Sequence, residues 1–388
     1  MSLSRGRLTA KSTPTAAEAR RDRMPETTPV SEPTGSPRAR VVRRRVAGIA
    51  VVVAVLALVA ALVVRIPYYV LSPGSARATE DLIDVVGAPT FTDDGAVDFL
   101  TVSMRQATPI EVVAAWINGA QQIRSADEIL GRLTPGESRQ VDLRMMASSK
   151  DAAQYQALRR LGYRVDENGT GAVIAAVGDT GPAQGVLVPG DVVTAVDGRA
   201  IERSEQLIAI VSGAPPGTVL QLDVEPIDTE REGARPARRV EVVVGARPDA
   251  PDRGYLGVTT FTRDLTFDFP VQVTIDSGSV GGPSAGLAFT LGILDVLTPG
   301  SITGGLQVAT TGTMQLDGRI GPVGGVPQKV VAARRQGVQL MLVPASEIDE
   351  ARAHAGDLRV EPVETLDDAL AVLATVGGGD AVLPPIPS

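Results

Sequence analysis

"SVGGPSAGLAFTLGILDVL", residues 279–297, sets a serine in a turn of glycine and proline and follows it with a mostly apolar run. The run is apolar nearly all round, is interrupted by Asp295 and is too short to cross a bilayer, so it predicts a helix buried inside a domain. Burial of that helix would hold Ser284 rigidly. Upstream, Val271, Val273 and Ile275 alternate as a half-buried strand does, giving strand, glycine turn and helix in order. Ser284 then admits two readings. Serine is a favoured N-cap, and a serine at a helix start also lies where free N–H groups can stabilise the oxyanion of acyl transfer.

A nucleophilic serine needs a base, and the composition narrows the choice. The chain has no cysteine and one histidine, which excludes thiolate nucleophiles, disulfides, cysteine-ligated zinc and multi-histidine metal sites. No metal or cofactor is expected. The histidine, His354, sits in the polar helical stretch "EIDEARAHAGDL" and reads as a solvated helix residue. Among 37 basic side chains only Lys11, Lys150 and Lys329 are lysines. Arginine stays protonated in proteins, whereas a buried lysine can lose its proton. Lys329, in "GRIGPVGGVPQKVVAARRQGVQLMLVP", is therefore a candidate base if burial lowers its pKa from about 10.4. The alternative is a lysine on the surface of a helix. Asp276 could orient such a site, and a turn-capping Asx bond is the favoured reading.

Together the two motifs resemble the catalytic domain of Lon-type proteases over residues 257 to 376: "GGPSAGLAFTLGILDVLT", then "ITGGLQVATTGTMQLDGRIGPVGGVPQKVVAARRQGVQLMLVPASE". That resemblance implies Ser284 as nucleophile and Lys329 as base. It also implies Thr311, which would hydrogen-bond the lysine amine, and Gly282 as supporting residues. Two positions depart from ATP-dependent Lon enzymes, Gly281 and Thr313, where those enzymes carry acids. No "GxxxxGK[ST]" phosphate loop occurs in these residues. The chain thus looks like the membrane-anchored, PDZ-containing, ATP-independent branch of Lon-like proteases. Protein or peptide substrates and a ring-shaped homo-oligomer such as a hexamer are implied partners.

A second resemblance precedes this one. "GAVIAAVGDTGPAQGVLVPGDVVTAVDGRAI" resembles a PDZ domain through Pro182, Ala183, Leu187, Pro189, Gly190, Asp191, Val192, Val196, Asp197 and Gly198. In PDZ domains a peptide adds a strand in a groove beside a helix, and backbone N–H groups hold its carboxylate. Leu161, Gly162 and Tyr163 look like the matching loop. A groove that is closed or merely structural is the other reading.

The N-terminal part carries the remaining signal. "VAGIAVVVAVLALVAALVV", residues 46–64, has the length of a membrane-spanning helix. Arg38, Arg40, Arg43, Arg44 and Arg45 precede it and Arg65 alone follows, which puts the N-terminus in the cytoplasm and the later residues outside. A cleavable signal peptide is the competing reading, and the long leader favours an anchor. Residues 1–45 hold ten arginines and one lysine against four acids, +7, as in a disordered basic tail. Subtracting that from −8 leaves −15 on residues 46–388, which argues against a nucleic-acid partner for the exported part.

The expected architecture is an α+β multidomain chain: a basic tail at 1–45, a transmembrane helix at 46–66 and a membrane-proximal region at 67–137. A PDZ-like β-rich domain follows at 138–245, then a Lon-type proteolytic α+β domain at 246–376 and a flexible tail at 377–388. Within this scheme "TPIEVVAAWINGA" predicts a helix capped by Thr108; core packing is the favoured reading of Trp116, and a place near the bilayer interface, which also suits an indole, is the other. The helix around Leu143, Met146, Ala153, Leu158 and Leu161 is expected to end at Gly162 and lead into the PDZ-like domain. The rival to a protease is a membrane-tethered peptide-binding adaptor with an inactive protease-like domain.

Overall fold

The computed structural model describes residues 37–380, apart from residue 93 and residues 228–234. Most of the basic tail, through residue 36, and the last residues of the C-terminal tail, 381–388, lie outside the described residues. The first described element is the helix Pro37–Val63, whose segment Arg45–Val63 is long and apolar enough to cross a membrane and has no buried residue.

From Leu62 onward the chain forms one unit built on two large sheets. The first has six strands in the order Arg359–Val363, Leu340–Pro344, Gln307–Thr310, Ala96–Gln106, Tyr68–Ala78 and Gln122–Ser125. Its four-strand core from Arg359–Val363 to Ala96–Gln106 is parallel, and the Tyr68–Ala78 strand pairs antiparallel on both sides. Alternation along the strands sends side chains to two cores. Val97, Phe99, Val308, Leu340 and Leu342 join the apolar helix Gly286–Leu297. Leu100, Ala309, Met341 and Val343 join Val326, Val330, Ala333 and Ala351 from the helices Val326–Arg335 and Ile348–Ala355. The predicted buried helix is therefore real: ten of its residues after Gly286 are buried.

This sheet does not follow the expected linear division. Strands from 68–106, assigned by sequence to a separate membrane-proximal region, complete a sheet with strands from 307–363. The helix Pro135–Arg160 leads into the PDZ-like domain as expected, but, counted within that domain by sequence, it places Met146, Ala153 and Ala157 in the core of Gly286–Leu297. Leu143, expected on its buried face, is 43% exposed. The reason is non-local pairing: local periodicity marks an apolar face without saying what covers it.

The second sheet orders Arg238–Val243, Val219–Pro226, Asp191–Val196, Ala172–Val177 and Val258–Thr262, all antiparallel, around a core shared with the helix Ser204–Gly213. Asp191, fully buried, accepts from Arg238 at 2.6 Å and from the Val188 N–H at 2.9 Å, which fixes the Pro-Gly-Asp turn. The strand Val258–Thr262, placed by sequence in the catalytic domain, closes this sheet at its edge. Chain entry and exit are joined where Asp166–Asn168 pairs with Thr266–Asp268. The second sheet is thus an insertion between two parts of the first.

Trp116 is a correction. The helix Pro109–Ile117 forms as expected, with Glu111 accepting the Thr108 N–H at 2.9 Å, but Trp116 is 83% exposed.

Candidate active site

Thr311 follows the central parallel strand Gln307–Thr310 directly, at its C-terminal end, the end where open α/β sheets bind ligands. Elements from both faces of the sheet meet there. The turn holding Ser284 precedes the helix on one face, and Lys329 lies in the first turns of the helix Val326–Arg335 on the other.

Lys329 is 2% exposed, and its Nζ donates to Thr311 Oγ1 at 2.9 Å. The Thr311 hydroxyl in turn donates to the Ser284 carbonyl at 3.2 Å, and the Gly312 N–H donates to the same oxygen at 3.0 Å. Because the threonine proton is directed at Ser284, its lone pairs face the lysine amine. Burial pushes the Lys329 pKa down to about 8, against a smaller opposing pull from Glu347. A substantial fraction is then neutral near physiological pH, which an arginine could not provide.

Ser284 does not cap the helix: Ala285 occupies the N-cap position, with no side-chain cap. Among the first main-chain donors, Gly286 N–H reaches Pro283 O at 3.3 Å and Leu287 N–H reaches Gly312 O at 3.1 Å. Those of Ser284 and Ala285 head no hydrogen bond among the described residues, so they are the donors free to meet an oxyanion.

The helix Pro135–Arg160 holds the serine turn from beneath. Gly282 N–H donates to Asp142 O at 2.8 Å, Ser149 Oγ to Pro283 O at 3.0 Å, and Lys150 Nζ to Ile275 O at 2.7 Å. The Arg139 guanidinium donates to Ser279 O, and Asp276 caps its turn by accepting the Gly278 N–H at 2.9 Å. This close approach explains the glycine pair. A Cβ on Gly281 would lie 2.8 Å from the Asp142 Cβ, and Gly282 has φ +90°, a left-handed conformation. An acid at 281 has no room here. Gly282→Ala is expected to destabilise the fold by about 1–2 kcal/mol and to lower any activity at Ser284 without touching its hydroxyl, read by thermal denaturation beside a turnover assay.

A cleft of about 400 Å³ adjoins Pro283, walled by Val141, Met145, Pro283 and Met314 with Arg144 and Ser148 at its side. Past Ser148 and Met314 it meets a larger cleft of about 780 Å³ reaching Tyr155, Glu167, Arg203 and Phe267. There the two sheets are linked: Tyr155 Oη donates to Glu167, Arg203 pairs with the same carboxylate at 2.7 Å, and Arg159 donates to Tyr155 at 2.8 Å.

The proposed PDZ loop is misplaced. Leu161, Gly162 and Tyr163 form the C-cap of Pro135–Arg160, with Gly162 at φ +83°. Their N–H groups are already bonded to Ala157, Arg159 and Leu158 carbonyls. Only the expected helix end at Gly162 survives. The strand-helix cleft lies elsewhere, about 410 Å³ between Ser204–Gly213 and the edge strand Val258–Thr262, with Leu207, Val211 and Leu256 at its floor. The Leu256 and Gly257 carbonyls point inward, accepting from Ala183 at 3.0 Å and Gly178 at 2.8 Å. Carbonyl and N–H oppose each other across a trans peptide, so the N–H groups of Gly257 and Val258 point the other way, toward the cleft. Gly257 is at φ +75°, and a Cβ there would sit 2.5 Å from Gly181 Cα. The signal in the sequence was "GYLGV", residues 254–258, a glycine after two apolar residues at a strand start.

His354 belongs to Ile348–Ala355, its Nδ1 lying 3.1 Å from Glu350 O of its own helix, so the ring is bonded locally. No group of histidine, aspartate and glutamate able to hold a metal occurs among the described residues.

Residues 259–375 match the family model described as the Lon protease (S16) C-terminal proteolytic domain, and residues 159–232 match the PDZ domain. A Lon protease of Phenylobacterium zucineum is 36% identical over 114 residues, 29% of this chain and 13% of that protein. A Lon protease of Campylobacter concisus is 31% identical over 115 residues, 28% of this chain and 14% of that protein. The chain thus spans about one seventh of the length of the curated relatives it matches. A crystal structure of the PDZ domain of an SdrC-like protein from Listeria innocua covers 23% of this chain and 92% of its own, at 19% identity and a TM-score of 0.20.

Proposed function

We propose, for a chain that carries a Lon-type proteolytic domain at 259–375 and a PDZ domain at 159–232, the function of a membrane-anchored, ATP-independent serine endopeptidase. The observation that carries this reading is the buried Lys329 amine, 2.9 Å from Thr311 Oγ1 and so tied through that hydroxyl to the Ser284 main chain. Ser284 Oγ attacks the scissile carbonyl carbon while neutral Lys329 takes its proton, and the N–H groups of Ser284 and Ala285 hold the oxyanion. The ammonium then protonates the leaving amine, which departs and leaves an acyl ester on Ser284. Water, deprotonated by the same amine, attacks that ester and frees the acid, restoring both groups.

The proteolytic unit comprises residues 67–160 together with 266–376, and the inserted PDZ domain selects substrates or a regulator by strand addition beside Val258–Thr262. The Gly257 and Val258 N–H groups receive the terminal carboxylate, and Leu207 and Val211 the last apolar side chain. The absence of a phosphate loop in these residues supports ATP independence. Arg45–Val63 spans the cell membrane, with the N-terminus cytoplasmic and the later residues outside. A homo-oligomeric ring completes the reading.

A fluorophosphonate probe tests it on the full chain. Labelling that disappears in Ser284→Ala and is absent in Lys329→Ala is the expected result. An unlabelled wild type that still binds a peptide with a free carboxylate, but not its amidated form, identifies the peptide-binding adaptor instead.

A further inference from the structure

The helix Pro109–Ile117 is covered on one side only. Val112 and Ala115 pack with Val70, Ala107 and Ile123, whereas Ile110, Val113, Trp116 and Ile117 are all exposed. At the helical periodicity those four side chains fall within an arc of about 120°, opposite the packed face. The helix is also held close to the end of the apolar segment. Ile66 N–H donates to Ala107 O at 2.9 Å, and Ala107 N–H donates to Tyr68 O at 2.8 Å, immediately before the cap residue Thr108. Ile66 follows Val63, the last residue of the apolar helix, by three positions, at most about 10 Å of extended chain. Exposed cations surround the helix start: Arg65, 3.4 Å from Glu111, and Arg105, 3.6 Å from the same carboxylate.

We infer that the face formed by Ile110, Val113, Trp116 and Ile117 docks on the lipid bilayer, in the headgroup region beside the point where the chain leaves the membrane. The inference rests on the membrane-anchored reading above. An indole suits that depth because its ring is apolar and its N–H needs a polar partner. An amphipathic helix lies in the interface plane with its apolar face inward, and arginines at its border meet anionic phosphates. The short stretch from Val63 to Ile66 keeps the face within reach of the surface.

Trp116 is the chain's one tryptophan, so its fluorescence reports on this helix alone. The full chain is reconstituted in phosphatidylcholine–phosphatidylglycerol vesicles, with and without acyl chains brominated near the headgroup. The expected result is blue-shifted emission that is lost on the brominated lipid. A Val113→Glu, Ile117→Glu double variant is expected to restore a red-shifted, unquenched emission with circular dichroism unchanged. Red-shifted emission open to iodide and untouched by bromine, from a chain that stays with the vesicles after an alkaline carbonate wash, overturns the inference and leaves the anchor intact. Blue-shifted emission insensitive to bromine and lost on dilution in detergent means a second copy covers the face, and also overturns it. Release by the carbonate wash overturns the anchor and the docking together.

Discussion

Ser284→Ala and Lys329→Ala are each expected to lower kcat for cleavage of an unfolded reporter, without ATP, by roughly 10⁴-fold or more, with the fold intact by circular dichroism. In the proposed dyad the two residues act on one proton, so their effects should not add. A serine without a base is a poor nucleophile, and a base without the serine has nothing to activate. The Ser284→Ala, Lys329→Ala double variant is therefore expected to be no slower than Ser284→Ala alone. Lys329→Arg is expected to be equally inert, because a guanidinium cannot accept the proton. Independent, additive losses would show that Lys329 acts elsewhere in the fold, and the dyad would have to be abandoned.

Under the proposed dyad, the burial of Lys329 sets a pH dependence in both activity and stability. Its folded pKa, lowered by desolvation to about 8, lies below the ordinary 10.5 of a solvated lysine. In activity, kcat/KM is expected to rise about tenfold per pH unit below that value and level above it, as the neutral amine becomes the dominant form. In stability, the unfolded chain binds the proton more tightly, so the penalty is fully present below about pH 8 and is relieved as pH rises from there to about 10.5. The difference corresponds to on the order of 3 kcal/mol. Lys329→Met, which keeps the length of the side chain and removes its charge, is expected to gain about that much stability at neutral pH while losing turnover. Urea denaturation across pH reads the first, and the cleavage assay reads the second. A flat activity profile, or a Met variant no more stable than wild type, would mean that the ammonium is not desolvated as its surroundings imply.

Both predictions depend on a scaffold that only part of the sequence revealed. The serine turn was legible because glycine, proline and serine before an apolar run are local signals, and Lys329 stood out in a chain that otherwise writes arginine. Asp276 was legible as a turn cap for the same reason, since an Asx bond spans two residues. The supporting helix Pro135–Arg160 was not. Its bonds to the serine turn run from Asp142 to Gly282 and from Ser149 to Pro283, across more than a hundred residues. The glycine at 281, a departure from ATP-dependent Lon enzymes, has a packing reason that no local signal shows: a Cβ there would crowd Asp142 of that helix. Leu161–Tyr163 resembled a carboxylate-binding loop because a glycine beside apolar residues marks both a helix end and such a loop. Which of the two it is depends on whether its N–H groups are already bonded.

By itself the sequence determined the apolar span, which needs only length and composition, and singled out the two motifs that hold Ser284 and Lys329. It also determined the α+β character of the chain, since periodicities of 2 and 3.6 are local properties. Tertiary structure alone decided that strands from 68–106 join strands from 307–363, that a second sheet is inserted between them, that "GYLGV" lines the strand-helix cleft and that Trp116 faces outward. The physical reason is the same in each case. Burial and hydrogen-bond satisfaction are settled by whichever distant segment arrives to cover a face, and that partner is not encoded in the face itself.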